Sequence, residues 1–329
     1  MSQAPYPIPA FRVTLDGQDL TDRIAPRLID LTLTENRAGE ADQLDLRIHD
    51  HDGRMALPRR GVTIAVALGW KGGEMVDKGT FKVDEVEHSG PPDIITIRAR
   101  SADLTAELRN RRERSWDSTT LGAILTTIAG EHGLTPRIAP ALADRAIDHL
   151  DQTESDAALL TRLAKQYDAV STIKAGHLVF APIGSGTTTG GEPLPEVVIH
   201  RRDGDTHTYR TASRDEYSGV RSYWHHKAGA TRKSVLVGDS GNAKRLPNTF
   251  ASETEARQAA HSEWERLYRG AATLSVSLAM GHPEIYPEQS ARLAGFADEI
   301  SDRKWLIAKA THSLTDRGLT TALDMEGAQ

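Results

Sequence analysis

The sequence predicts an α+β chain, mainly β, in which two similar β modules flank a segment that contains helices. Alternating apolar side chains fill runs near both ends of the chain, for example Leu44, Leu46 and Ile48 in LDLRIHD. Turn signals with Gly and Pro separate these runs, which is typical of antiparallel sheets. Helical periodicity is concentrated in the middle of the chain. A third observation, an ordered internal repeat, relates the two ends to each other.

The repeat is clearest in the segments FKVDEVEHSG and WLIAKATHSL. Each has an aromatic residue, a His-Ser pair whose histidine lies seven residues later, and a threonine eight residues beyond the histidine. An alternating strand, a proline and a strand with a glycine precede each segment in the same order. Chance similarity of two hairpins is the alternative, but the ordered series favours a duplicated module. The repeated residues are Phe81, His88, Ser89 and Thr96 in the first copy and Trp305, His312, Ser313 and Thr320 in the second.

We predict the first β module over residues 1–108. Its strands are expected in LDLRIHD, VTIAVALGW, TFKVDEVEH and IITIRAR. Turns at Asp52-Gly53, Gly72-Gly73 and Pro91-Pro92 separate these strands.

Residues 109–195 are predicted to form an α/β insert that ends in a linker. One helix is expected at about 119–132, with Ser118 or Thr119 as its cap. A second helix starts within DQTESDAALLTRLAKQY, where Thr153 and Asp156 have the spacing of a capping box. A hairpin turns at Ala175-Gly176, and the Gly- and Thr-rich run GSGTTTGGEPLP is interpreted as a flexible linker.

Residues 196–329 are predicted to form the second β module, with one helix. EVVIHRRDGDTHTYR is expected to be a hairpin with Asp203-Gly204 at its turn. Ser252 and Glu255 have the spacing of a capping box before the helix in ETEARQAAHSEWERLY. The runs ATLSVSLAM and WLIAKATHSLTDRGLTTALDM then return to strands.

Composition excludes several classes of function. The chain of 329 residues has a net charge of −6, which disfavours a general nucleic-acid binder. It has no cysteine, so disulfide scaffolds, thiolate metal sites and cysteine nucleophiles are excluded. The N-terminus lacks the pattern of a signal peptide, and no apolar run is long enough for a membrane span. We therefore expect a protein made in a reducing cytoplasm, without a membrane anchor.

Two polar runs contain residue types that bind metals. HRRDGDTH places His200, Asp203, Asp205 and His207 within eight residues. Because Asp203-Gly204 has the pattern of a turn, ordinary polar turn residues are the favoured interpretation, as they are for HDHDG at His49–Gly53. The run GSGTTTGG lacks the Gly-Lys-Ser/Thr ending of a phosphate-binding loop. YWHHKAG, Tyr223–Gly229, is interpreted as an exposed hairpin rather than a stacking site.

Charged residues are likewise assigned structural roles. RNRRER, Arg109–Arg114, is compatible with DNA contact, but Glu107 and Glu113 favour a strip of salt bridges between domains or subunits. Glu154, Asp156 and Asp168 offer carboxylates for hydrolysis, yet acidic residues are favourable in the first turn of any helix. Recurrence of His88 and His312 indicates a shared structural role, such as a hydrogen bond that holds a hairpin. The sequence thus predicts no enzymatic activity and no catalytic, cofactor or metal site.

Two similar modules per chain bear on assembly. A cyclic trimer of such a chain would present six similar modules around one axis. It could therefore contact a sixfold ring on one side and a threefold object on the other.

Segments along most of the chain, such as DQTESDAALLTRLAKQYDAVSTIKAGHLVF and WLIAKATHSLTDRGLTTALDME, resemble the late control protein D family of phage tails. That family is similar to the N-terminal hub part of VgrG spike proteins. The resemblance covers roughly residues 10–326 and rests on LPRRGVTIAVALGW, GTFKVDEVEHSGPPDIITIRARSAD, RERSWDSTTLGAILTTIAGEHGL and WLIAKATHSLTDRGLTTALDME. Its most specific part is DQTESDAALLTRLAKQYDAVSTIKAGHLVF. The family-motif helix within it contains Gln152, Glu154, Ser155, Asp156, Arg162 and Leu163.

The resemblance implies a structural baseplate hub. Its two β-barrel modules would resemble the tail-tube fold, and three chains would form a pseudo-sixfold ring. That ring would connect the hexameric tail tube, or a ring that initiates it, to a trimeric spike. Because the chain ends at Gln329, directly after the second module, the spike is expected to be a separate protein.

The resemblance further implies contacts with the tape measure and other baseplate proteins. It implies no stable nucleic-acid binding and no cofactor. The expected location is the virion tail baseplate, assembled in the host cytoplasm. A hub from a type VI or other phage-derived injection machine is an alternative, as is a cell-wall-binding or hydrolytic tail module.

Overall fold

A computed structural model describes residues 7–37, 41–101, 106–211, 217–226, 229 and 231–328. In its described residues, the first β module is built from seven strands and one short α-helix. The strands carry apolar residues at alternate positions, so that one face of each strand is buried, as predicted. Its elements are β1 (Pro9–Leu15), β2 (Gln18–Asp19), α1 (Thr21–Ile24), β3 (Leu28–Asn36), β4 (Gln43–His49), β5 (Thr63–Trp70), β6 (Met75–Ser89) and β7 (Ile94–Ser101).

The insert forms two small sheets and three helices around a core of its own. One sheet pairs its first and third strands, and the other contains the remaining three strands. Leu159, Leu163 and Phe180 are among the fully buried side chains of this core. The elements are β8 (Arg114–Thr120), α2 (Leu121–Glu131), β9 (Thr135–Ile138), α3 (Pro140–Ala143), β10 (Ala146–Gln152), α4 (Asp156–Tyr167), β11 (Ala169–Lys174) and β12 (His177–Pro182).

The described residues of the last segment form nine strands and two helices. Six of these strands belong to the same large sheet as the first module, while three form a sheet apart. The elements are β13 (Val197–His200), β14 (Gly204–Thr211), β15 (Gly219–His226), β16 (Thr231–Gly238), β17 (Ala243–Phe250), α5 (Glu253–Gly270), β18 (Ala272–Leu278), β19 (Ser290–Ala294), α6 (Asp298–Ser301), β20 (Lys304–Thr315) and β21 (Gly318–Ala328).

The two β modules share one continuous sheet. Its strands follow the order β14-β18-β21-β20-β3-β4-β7-β6-β5-β1-β2, with β19 on β20 and β13 on β19. The pairing of β20 with β3 is therefore the joint between the modules.

The order of strand pairing is the same in both modules. In the first module β3 pairs with β4, then β7, β6, β5 and β1 follow; in the second β14 pairs with β18, then β21, β20, β19 and β13 follow. The final pair differs in direction, because β1 lies antiparallel to β5 whereas β13 lies parallel to β19.

Irregularities in the ladders also recur at matching places. The β6–β7 ladder shifts between Val83 and Glu85, and the β20–β21 ladder shifts between Ile307 and Lys309. The β3–β4 ladder shifts after Leu28, and the β14–β18 ladder shifts after Gly204. A β-bulge fixes which residues face each other, so these matches align the two modules residue by residue.

Several local predictions were wrong for identifiable reasons. Residues 196–211 form no hairpin, because β13 pairs with β19 and β14 with β18. The segment 196–329 is more than a barrel module, since β15, β16 and β17 form their own sheet against α5.

Two of the three predicted helix caps are displaced. Thr120 caps α2, and its hydroxyl accepts from the backbone N–H of Ala123. Ser155 rather than Thr153 caps α4. Ser252 caps α5, as predicted.

The repeated aromatic residue occupies a core in each module. Phe81 is 1% exposed in the first core, and Trp305 is fully buried in the second. The Trp305 indole N–H also donates to the carbonyl of Ile300 at 2.9 Å.

Replacement of Trp305 by alanine is expected to destabilise the second module by about 3–5 kcal/mol, through lost burial and the cavity left behind. A lower urea midpoint in circular dichroism would report it. Val198→Ala is the control, because Val198 is exposed. Equal midpoints for the two variants would contradict this account of the core.

Candidate functional site: the joint between the modules

The joint places strand β20 directly beside strand β3. Seven residue pairs extend from Lys309 opposite Asn36 to Thr315 opposite Asp30. Leu314 and Leu319 of the second module enter the core of the first, so apolar packing crosses the joint. The joint therefore combines backbone hydrogen bonds with a shared core.

A buried polar cluster lies inside this joint. The Lys78 ammonium is 2.6 Å from a carboxylate oxygen of Glu35, and it also donates to the carbonyl of Pro283 at 2.7 Å. The imidazole of His312 is fully buried and lies 3.2 Å from the same Glu35 oxygen. Because Glu35 and Lys78 come from the first module and His312 and Pro283 from the second, the cluster joins the two.

Hydrogen-bond partners assign the protonation of His312. Its Nε2–H faces two acceptors, Glu35 and the carbonyl of Ile285, each at 3.2 Å. Its Nδ1 lies 2.9 Å from the Thr321 hydroxyl, whose oxygen already accepts from the His282 N–H. The neutral tautomer with the proton on Nε2 satisfies all of these contacts.

The environment shifts both titrating groups. Burial raises the pKa of the Glu35 carboxyl, but the His312 hydrogen bond and the Lys78 charge outweigh burial, so the net pKa lies below its usual value. Burial is the main reason that the pKa of His312 is lowered. The hydrogen bond to Glu35 opposes that effect, and the charge of Lys78 reinforces it. Glu35 is thus ionised and His312 neutral near pH 7.

A second network joins both modules to the insert. The Arg37 guanidinium, after β3, lies 2.5 Å from Glu288 and 2.8 Å from Glu326. Arg269 on α5 contacts Glu326 at 3.7 Å and binds both carboxylate oxygens of Asp168, the residue after α4. Glu288 also accepts from the Gly184 N–H. Burial raises the pKa of Glu288, which the charge of Arg37 opposes.

The two repeated histidines have different surroundings. His312 is buried in the joint, whereas His88 is 39% exposed at its side chain and lies 3.5 Å from Asp50. Both nevertheless occupy the same place in their hairpins, since His88 faces Ile95 and His312 faces Thr321. The predicted hydrogen bond across a hairpin is present for His312 only, through Thr321.

The repeated threonines do not match each other, which corrects the sequence alignment. Thr96 faces Glu87, whereas Thr320 faces Ser313. The second hairpin continues for two more residue pairs before its turn, whereas the first turns directly after Ser89. Residues after the turn are therefore displaced by two positions.

The first residue of the family-motif helix is a buried carboxylate, Asp156. Asp156 is fully buried and accepts hydrogen bonds from Gln152 at 2.8 Å and Arg114 at 2.7 Å. His132 lies 2.9 Å from its other oxygen. Burial raises the pKa of Asp156, but these hydrogen bonds and nearby arginines lower it below its usual value.

The other motif residues also build the insert. Glu154 forms a 2.7 Å ion pair with Arg162, Ser155 caps the helix, and Leu163 lies in the insert core. Sequence reasoning did not find the partners of Asp156, because they come from separate elements.

The arginine-rich run forms salt bridges, one of them between Arg111 and Glu113 at 3.4 Å. Arg112 and Arg114 bind Asp156 and Glu131, so their salt bridges lie within the insert rather than between domains. These arginines also bear on metal binding. Among the described residues, Glu131, His132 and Asp156 are the one set whose ligand atoms lie close enough for a shared ion. Two guanidinium charges already occupy its carboxylates, which disfavours a cation.

The remaining candidates stay apart from the joint. His200 ends β13 and Asp203 ends the short turn that follows, where the Asp203 carboxylate accepts from the His200 backbone N–H. Asp205 and His207 lie on β14. In the run Tyr223–Gly229, residues 227 and 228 lie outside the described residues.

The chain has the fold of phage-tail proteins. It superimposes on a tail protein of Neisseria meningitidis MC58 with a TM-score of 0.71 at 13% identity, covering 97% of this chain and 96% of that one. The prophage MuSo2 43 kDa tail protein of Shewanella oneidensis gives a TM-score of 0.68 at 16% identity, covering 96% and 97%. An E. coli component of the type VI secretion system gives 0.57 at 14% identity, covering 92% and 74%.

Sequence comparison specifies the family. Residues 43–318 match the profile of the phage tail baseplate hub family, GPD. Probable baseplate hub proteins of Escherichia phages 186 and P2 are each 40% identical to the chain, covering 97% of it and 92% or 93% of their own lengths. The chain belongs to the phage tail baseplate hub family.

The predicted mainly β class and the family resemblance are therefore confirmed, and the chain is a structural component of a phage tail. In the described part of the chain, no helix is long and apolar enough to cross a membrane.

Replacement of Lys78 by methionine should destabilise the joint by about 3–5 kcal/mol, because Glu35 would keep a buried charge without its partner. Urea denaturation would measure the loss. Lys82→Met, at an exposed position of the same strand, is the control. Adding Glu35→Gln should recover part of the stability; no recovery would contradict the electrostatic explanation.

The joint should also weaken as pH falls. Below about pH 6.5 an unfolded chain protonates His312 while the folded chain, with its lowered pKa, resists protonation, so stability is lost with falling pH. Denaturation midpoints at pH 7.5 and 5.5 should differ less in His312→Gln than in the wild type. His261→Gln, exposed on α5, should keep the full difference. An unchanged difference in His312→Gln would exclude this histidine as the cause.

Proposed function

We propose that the chain is a duplicated hub subunit, and that three copies form a ring of six similar modules. The observation that carries this proposal is the common order of strand pairing, with matching bulges, in the two modules. A joint that connects two like modules within a chain can be repeated between chains. Three copies then give threefold symmetry for the chains and approximate sixfold symmetry for the modules.

The proposed role is that of a connector. The sixfold face would contact the hexameric tail tube or its initiator ring, and the threefold face a separate trimeric spike. The insert, residues 109–195, would lie outside the ring of modules and contact other baseplate proteins. We further propose that the chain contacts the tape measure protein and that the hub is assembled in the host cytoplasm.

The polar cluster of the joint supports a structural role without catalytic turnover of a substrate. The polar groups of the joint are buried, and Lys78 and His312 both pair with the same oxygen of Glu35, so they serve each other. The relatives of high identity come from phages 186 and P2, which favours a phage tail over a secretion machine.

Native mass spectrometry of the purified chain tests the ring. We expect a species of three times the 35.9 kDa chain mass, alone or after addition of the spike protein of the same phage. A full chain that stays monomeric with the spike present would overturn the proposal.

A further inference from the structure

We infer that β6 of one copy and β14 of the next form the contact between chains, with Glu87 opposite Arg210. This inference rests on the proposed function, since it specifies how one hub subunit meets another. It follows from comparing the occupied joint with the two strand segments that match it elsewhere in the chain.

Strand β20 has two neighbours on one side, arranged in succession. Its start pairs with β19, through Trp305 and Leu306, and its end pairs with β3, from Lys309 onward. Its other side is covered by β21 along its whole length. The end of β20 is therefore the half of the joint that the second module supplies.

Strand β6 repeats this arrangement with one neighbour missing. Its start pairs with β5 up to Lys82, and its other side pairs with β7 from Phe81 to Ser89. In the part of the chain that the structure describes, no strand pairs with Glu85–Ser89 on the β5 side. That segment is the match of Lys309–Ser313, which β3 covers in the second module.

Strand β14 supplies the complementary half. It is the match of β3 and ends the large sheet, because β18 is its one neighbour among the described strands. From Thr206 to Thr211 all its residues are exposed except the half-buried Tyr209. Threonine and tyrosine favour strands, and this edge carries no lysine or proline of the kind that blocks pairing. Its free backbone groups are a template for another strand.

The matching bulges fix the register of the inferred contact. His312 faces Leu33 and Thr311 faces Thr34 in the occupied joint. The corresponding positions are His88 with Tyr209 and Glu87 with Arg210. The same register pairs Val86 with Thr211 and Ser89 with Thr208.

The inferred register brings opposite charges together. Glu87 and Arg210 are both exposed in the single chain and would lie directly across from each other. His88 would take the position that His312 has in the joint, and would lose its exposure to solvent on assembly. The partner that fits this edge is therefore a second copy of the chain.

Each chain carries one segment of each kind: β14 ends the large sheet in the second module, and Glu85–Ser89 of β6 lies in the first module. A contact between unlike surfaces passes from chain to chain in one direction, and it forms a ring when the rotation closes. The chain thus carries one occupied joint and the two halves of another.

Disulfide trapping tests the register, and the absence of native cysteine makes the background clean. Directly opposed residues in an antiparallel pair have Cα atoms about 4.5–5.5 Å apart, which suits a disulfide. The full-length variant Glu87→Cys with Arg210→Cys, mixed with the spike protein and mildly oxidised, should give covalent species of two and three chains on a non-reducing gel. Glu87→Cys with Thr208→Cys, two residues out of register on the same face, is the matched control.

The outcomes separate this inference from the proposed function. Efficient trapping at 87/210 and weak trapping at 87/208 would support the register. A native trimer without trapping at 87/210 would overturn the inference while the ring survives. A monomer without trapping would overturn both.

Charge reversal provides a second test that needs no cysteine. Glu87→Arg and Arg210→Glu, each alone, should weaken assembly by roughly threefold in dissociation constant, because like charges would face each other. The double variant should recover most of the wild-type affinity. Independent effects of the two changes, without recovery, would contradict the predicted pairing.

Discussion

The pairing of β20 with β3 is the constraint on which the rest of this structure depends. It turns two modules into one continuous sheet, and leucines of the second module complete the core of the first. A buried ion pair is a weak source of stability in itself, since desolvation offsets most of its attraction. His312 instead specifies one register, because any slip of β20 against β3 would take this buried imidazole away from Glu35, which Lys78 holds in place.

The insert is held to the modules by charge. Arg269 and Asp168 form a bidentate salt bridge between α5 and the end of α4. Arg37 pairs with Glu288 and Glu326 in the same network. Lys174 of the insert also contacts Asp42 of the first module at 2.6 Å. Such contacts orient the insert while it keeps a separate apolar core. Packing thus holds the modules to each other, and polar contacts set the position of what lies between them.

Much of the fold could be predicted from local pattern. Alternating runs located strands such as β4 and β7, and the spacing of Phe81 and Trp305 to their histidines identified matching hairpins. The predictions that were wrong concerned contacts between residues that are far apart in the sequence. The β13–β14 hairpin was wrong because β13 pairs with a strand far along the chain. The roles of His88 and His312 differ because β3 covers one hairpin edge and, among the described strands, none covers the other. The sequence did not predict the role of Lys78, since the residues next to it do not indicate a buried position.

The separate sheet β15–β17 and helix α5 occupy the connection between β14 and β18. The matching connection in the first module, between β3 and β4, has only the six residues 37–42. The ladder on either side is the same in both, so the fold tolerates a large insertion at this place without disturbing the sheet. A loop that closes on well-paired strands adds little entropy cost as it lengthens. This connection is therefore a natural position at which related tails can diversify, and at which a foreign domain can be grafted while the scaffold stays intact.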